Sequence, residues 1–107
     1  MPIIIPIIPI PPTPIPYTIC IPNIFTPNGD RDNEVFKITG TAIKEFEIEI
    51  YNRWGIKVYN WQGINGYWDG NNNTGIPAPD GVYYYIIHLV TRENEAKEYK
   101  GFLQLNR

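Results

Sequence analysis

The chain has 107 residues, room for one domain, and a formal net charge of −2. Its nine Lys and Arg are scattered, which excludes the clustered basic surface that tracks nucleic-acid phosphates. Eight Tyr, three Trp and four Phe are present, and a domain this small, burying only about 60–65% of its unfolded surface, must lean on such rings for its core.

Residues 1–18 read "MPIIIPIIPIPPTPIPYT". No Lys or Arg follows Met1, there is no small-residue cleavage site, and proline recurs every few residues, so this is neither a signal peptide nor a membrane span. It reads as a Pro/Ile-rich extended linker of polyproline character. Its isoleucines suit an added edge strand or contact with a partner. With no export signal in the chain, a secreted protein would be represented here by a fragment or an atypical short product. Residues 19–107 read as the folded domain.

Residues 19–25 form the first strand candidate, with Pro22 marking an edge or bulge. Cys20, the single cysteine, makes no internal disulfide and reads as a small buried hydrophobe. Next comes a polar knot, "NGDRDNE", leading into a second strand candidate at 34–38. Residues 44–51, "KEFEIEIY", alternate strictly, Phe46, Ile48 and Ile50 on one face and Glu45, Glu47 and Glu49 on the other. That is a half-buried strand with one wet face. "NRWG" at 52–55 reads as a hairpin turn and 56–61 as the returning strand. A long polar loop follows, rich in Gly, Asn, Asp and Pro, ending at Asp80-Gly81.

Residues 82–91, "VYYYIIHLVT", are apolar on both faces and therefore belong in the middle of a sheet. "RENE" turns the chain into 97–105, where Tyr99, Gly101, Leu103 and Leu105 share a side. No segment has helical apolar spacing with a cap. The sum is an antiparallel β-sandwich of about seven strands. Its expected core is Phe36, Phe46, Ile48, Ile50, Val58, Trp68, Tyr84, Ile86 and Leu103.

Catalytic apparatus is not visible. The chain has no serine, and its one histidine, His88, falls mid-strand in line with Tyr84 and Ile86, as a packed or edge-facing side chain does. One His and one Cys do not make a zinc site. No phosphate loop or dinucleotide fingerprint occurs, and no carboxylate pair stands out from the other acids. The expectation is a non-enzyme.

Two features invite a ligand. Asn28, Asp30, Asp32 and Glu34 offer oxygens at alternate positions, the spacing of calcium loops, although the glycine and distant glutamate of an EF-hand are missing. The same residue types set turns without any metal; both alternatives stand, and no cofactor is assigned. Trp54, Trp61, Tyr67 and Trp68 gather around one hairpin and its loop. They suit a sugar-stacking platform, or Trp61 and Trp68 simply close the end of a small core.

Taken together, "IPNIFTPNGDRDNEVFKI", "FEIEIYNRWGIKVYNW", "WDG", "GIPAPDGVYYYIIHL" and "KGFLQLNR" resemble, in order, the gliding-motility-associated C-terminal domain, the type B sorting domain of type IX secretion substrates. The resemblance covers 19–107. Arg31 stands where the family's acidic loop usually has a second glycine, Asp32 is an addition, and Glu34 replaces an aspartate. The resemblance implies an immunoglobulin-like β-sandwich carried at the C-terminus of exported adhesins, enzymes and surface proteins. A signal peptide takes the precursor to the periplasm. The type IX translocon, with an outer-membrane β-barrel accessory protein, then recognises the domain and moves the passenger to the cell surface or medium. No nucleic acid or membrane span is involved. The alternative is a surface carbohydrate- or ligand-binding module, and the placement of "KGFLQLNR" at the chain's end favours the sorting domain. Within that terminal strand Phe102 alternates away from Leu103 and Leu105, so Lys100, Phe102 and Gln104 form the expected partner-binding surface.

Overall fold

The computed structural model describes residues 16–29 and 34–107. Every regular element among them is a strand: β1 (Thr18–Cys20), β2 (Ile24–Phe25), β3 (Thr39–Thr41), β4 (Ile43–Tyr51), β5 (Lys57–Gln62), β6 (Gly81–Thr91) and β7 (Ala96–Leu105). They form a five-stranded sheet in the order β2-β7-β6-β4-β5 and a two-stranded sheet of β1 and β3. Among the described residues this is the all-β sandwich of seven strands that the alternation and turn spacing imply. One pair departs from the antiparallel rule: β2 runs parallel to β7, Ile24 opposite Gln104 and Phe25 opposite Leu105.

The first two strand candidates are placed differently from the expectation. Residues 19–25 split into β1 and β2, which join different sheets, because Pro22 interrupts the ladder between them. Residues 34–38 are not a strand. Phe36 makes a single bridge to Trp68, and the strand starts only at Thr39. Cys20 is exposed rather than buried, since β1 has Ile19 as its inward residue and two-residue periodicity turns both neighbours outward. Most of the tether, residues 1–15, lies outside the described residues; β1 begins at Thr18, and Tyr17 reaches Tyr99 hydroxyl to hydroxyl at 2.5 Å.

β4 buries Phe46, Ile48 and Ile50 and turns its glutamates outward, as its alternation demands. β6 is the central strand, but the side it buries is shifted by one residue from expectation. Tyr83, Ile87 and Leu89 are buried and Tyr85 packs against them, whereas Tyr84 is 49% exposed and Ile86 faces the outer side with it. The register with β4 decides this: Ile48 lies opposite Ile87 and Ile50 opposite Tyr85, so Ile86 falls opposite Glu49. A strand apolar on both faces carries no preference of its own, and its neighbour's alternation sets which side goes inward. Val58, also expected in the core, sits beside the bulge where β5 slips against β4 after Ile50 and is only partly buried. On β7 the expectation holds, with Leu103 and Leu105 fully buried and Tyr99 packed beside them.

Three reversals use one turn. In Asn52–Ile56 and Asn72–Ile76 the Asn side-chain oxygen accepts the N–H groups of the residues two and four ahead, and the glycine in fourth place has φ of +77° and +83°. At Thr91–Glu95 the threonine hydroxyl replaces the amide oxygen for the Glu95 N–H, and Asn94 takes the left-handed position at +63°. Asn is the residue after glycine best suited to that region. The pattern "N-x-x-G-I" occurs three times; at 52–56 and 72–76 it makes the same turn, whereas at 60–64 it runs out of the end of β5 and the Gly63 N–H bonds the Phe46 carbonyl instead.

The long loop of residues 63–80, between β5 and β6, has no named strand, yet it supplies the middle of the core. Trp68 and Phe36 exchange both backbone hydrogen bonds, at 2.8 and 2.9 Å. The fully buried Trp68 ring lies 5.3 Å from Phe25 and 5.2 Å from Tyr83, and its indole N–H donates to the Asn71 carbonyl at 2.7 Å. Trp61, partly buried, lies against Gly66, where a Cβ would come within 2.8 Å of the Trp61 Cγ and Nε1. Gly66→Ala is accordingly expected to cost about 1–3 kcal/mol through overpacking. Urea denaturation measures it, and a loss under a few tenths would show that the indole swings aside freely.

Candidate partner-docking face

One side of the five-stranded sheet closes the core and the other is open. Cross-strand register orders the open side into rows. At one end Ile24, Gln104 and Val82 stand side by side across β2, β7 and β6. Beside them come Phe102, Tyr84 and Tyr51 across β7, β6 and β4. The next row is Lys100, Ile86 and Glu49, and the last is Glu98, His88 and Glu47. The face thus grades from an apolar and aromatic end to a charged end.

Sequence reasoning placed Lys100, Phe102 and Gln104 on this outer side, and the strand geometry sets all three there. Phe102 is 60% exposed, an unusual state for so large an apolar ring. Lys100 is tethered to Glu98 at 3.2 Å, and Glu98 also reaches His88 Nδ1 at 3.4 Å. Gln104 donates through its side chain to Asn106. The readings of β7 alone missed the neighbours that complete the surface, Tyr84, Val82 and Ile24. They became visible only when β6 and β2 were paired to β7; the sequence signal was the both-sided apolarity of residues 82–91.

The end of β7 is fastened to the long loop by Arg107. Its backbone N–H donates to Asp80 Oδ2 and its guanidinium to Asp80 Oδ1, each at 3.0 Å, with further donation to the carbonyls of Ala78 and Gly70. Asp80 is held below its ordinary value of 3.8, first by the Arg107 amide, then by the guanidinium's hydrogen bond and charge, with desolvation acting the other way. A carboxyl whose folded value is depressed contributes stability above its unfolded value and loses it as pH falls through the folded one. The urea midpoint should therefore drop as pH is lowered from about 4, and Asp80→Asn should reduce the steepness of that acid limb. An unchanged pH profile in the variant would remove this clamp from the account of acid sensitivity.

The other expected features separate. Asp30 and Asp32 of the calcium alternative lie outside the described residues. Of its remaining members, Asn28 donates its backbone N–H to the Thr26 carbonyl, and the Glu34 carboxylate accepts the Gly29 N–H through both oxygens, at 3.0 and 3.1 Å. The four aromatics of the sugar-platform alternative do not act together. Trp68 is fully buried and Trp61 partly, while Trp54, 72% exposed under the Arg53 guanidinium, and Tyr67 remain outside. His88 sits on the open face, paired to Glu98.

A family model described as the CHU_C type IX secretion signal domain matches residues 19–105. The chain belongs to this family. No match is found among the curated proteins. A type IX secretion signal domain interacts with the secretion machinery and serves export to the cell surface or medium, and the family is not one of enzymes. No helix among the described residues is long and apolar enough to cross a membrane.

Proposed function

We propose that residues 19–107 act as a C-terminal sorting signal, read by the type IX translocon together with an outer-membrane β-barrel accessory protein, carrying a fused passenger out through the periplasm. Residues 1–15 serve as the linker to that passenger, while Tyr17 and Thr18 already pack with the domain. The observation that carries this is the family match over 19–105. Lys100, Phe102 and Gln104 are the proposed contact side chains. What supports them is an exposed aromatic ring on a strand whose opposite face is locked into the core, the arrangement of an anchor residue in a recognition surface.

The test is a fusion of a signal peptide, a soluble reporter and this chain, expressed in a host with a type IX system and a matching accessory protein. The reporter is expected in the medium or on the cell surface. Retention in the periplasm would sink the sorting role. Phe102→Ala and Lys100→Glu, with circular dichroism showing an intact fold, are expected to cut export severalfold. Unchanged export in both would remove these contacts.

A second reading, a surface module binding glycans, draws on the exposed rings of Trp54 and Tyr67 alone. A glycan array probed with the native chain and with Trp54→Ala tests it, and uniform absence of binding ends it.

A further inference from the structure

We infer that the open face of the five-stranded sheet docks a protein segment that presents apolar side chains bordered by Lys or Arg. The identity of the machinery rests on the sorting role; the chemistry of the contact rests on the face itself.

The apolar end comes first. Ile24, Val82, Tyr84 and Phe102 are each more than a third exposed and adjoin one another through the β2–β7–β6 register. Isolated surface apolar residues are ordinary, but a contiguous patch marks a contact site. It lies on the flat of a sheet, held by strands whose other faces are buried, so its shape is fixed before any partner arrives.

The charged end selects the partner. Glu45, Glu47 and Glu49 follow one another down β4 on the open side, about 7 Å apart at strand rise. Glu49 accepts the Tyr51 hydroxyl. Glu45 and Glu47 have no hydrogen bond or ion pair among the described residues. Of the two neighbouring strands, β5 offers neutral Asn60 and Gln62 opposite Glu49 and Glu47, and β6 offers Ile86 and His88, whose ring is engaged by Glu98; the nearby Lys100 is also held by Glu98. The result is a stripe of uncompensated carboxylates alongside an apolar patch. An anionic lipid surface is repelled by it, and a second copy of the chain would bring the same excess of carboxylates against it. A protein segment with apolar side chains and a basic border satisfies both halves, burying the patch and neutralising the stripe.

The probes are three labelled peptides: alternating Val and Lys, alternating Val and Glu, and alternating Ser and Lys. The intact chain is titrated against each by fluorescence anisotropy, at low and high salt. The Val–Lys peptide is expected to bind about tenfold more tightly than either control, and to lose about tenfold at high salt as the carboxylates are screened. Glu45→Gln with Glu47→Gln should abolish that salt dependence. Tyr84→Ser with Phe102→Ser should weaken binding at both salt levels; these side chains are exposed, and circular dichroism checks the fold. Equal binding of all three peptides, or binding indifferent to both double variants, overturns the inference. So does preferential binding to phosphatidylglycerol vesicles, which would assign the face to lipid. The same two double variants are placed in the export fusion. Export of the native fusion without Val–Lys binding defeats this inference and leaves the sorting role standing, whereas binding without export does the reverse.

Discussion

Trp68→Ala is expected to lower the unfolding free energy by about 3–5 kcal/mol, a large part of the roughly 5–15 kcal/mol that a native domain has in total. Three separate losses meet at this residue. The ring is fully buried among Phe25, Tyr59 and Tyr83, so its removal leaves a cavity that the surrounding rings cannot readily fill. Its indole N–H satisfies the Asn71 carbonyl, which would be left without that donor. Its backbone holds Phe36 by a two-way bridge, so a loosened Trp68 also loosens the segment entering β3. Trp68→Phe separates the contributions: it keeps most of the apolar contact but removes the donor, and should cost distinctly less than the alanine variant. Urea denaturation followed by tyrosine fluorescence provides the measurement. A cost below about 1 kcal/mol for the alanine variant would show that the long loop closes the core without this ring.

The neighbouring isoleucines of β6 should behave in opposite ways. Ile87→Ala removes a side chain with no solvent exposure, between Ile48 and Tyr99 across the sheet and within the core cluster, and is expected to cost about 2–5 kcal/mol. Ile86→Ala acts on the open face, between Glu49 and Lys100, and should cost distinctly less, on the order of 1 kcal/mol, because that side chain is only partly buried. Chemical denaturation of the two variants in parallel compares them directly. Equal costs would mean that the open face is covered in solution; a reversed order would mean that β6 is one residue out of register.

That pair shows where reading the sequence stopped. Residues 44–51 revealed both their strand and its inward face, because every second residue is a glutamate and a buried row of carboxylates is prohibitively costly. Residues 82–91 revealed a central strand and nothing about its facing, since tyrosine and isoleucine are at home on either side. The turn chemistry at Asn52–Gly55 was legible from Asn and Gly. The same letters recur at Asn72–Gly75, where they make that turn, and at Asn60–Gly63, where they end a strand, so the pattern alone does not assign the turn.

The candidate site divides in the same way. The outward placement of Lys100, Phe102 and Gln104 followed from alternation within one strand, a local property. Their union with Tyr84, Val82 and Ile24, and the alignment of that patch beside the β4 carboxylates, came from pairing between strands far apart in the chain. The sequence by itself determined an all-β chain, its longest strands, one wet face and family membership through motifs in order. Only the tertiary structure decided the parallel docking of β2, the two-way backbone bridge that seats the expected core residue Trp68 against Phe36, and which side of β6 faces water. Hydrophobic periodicity reports the local environment of each residue, whereas strand order and register are set by long-range hydrogen-bond pairing that no single segment encodes.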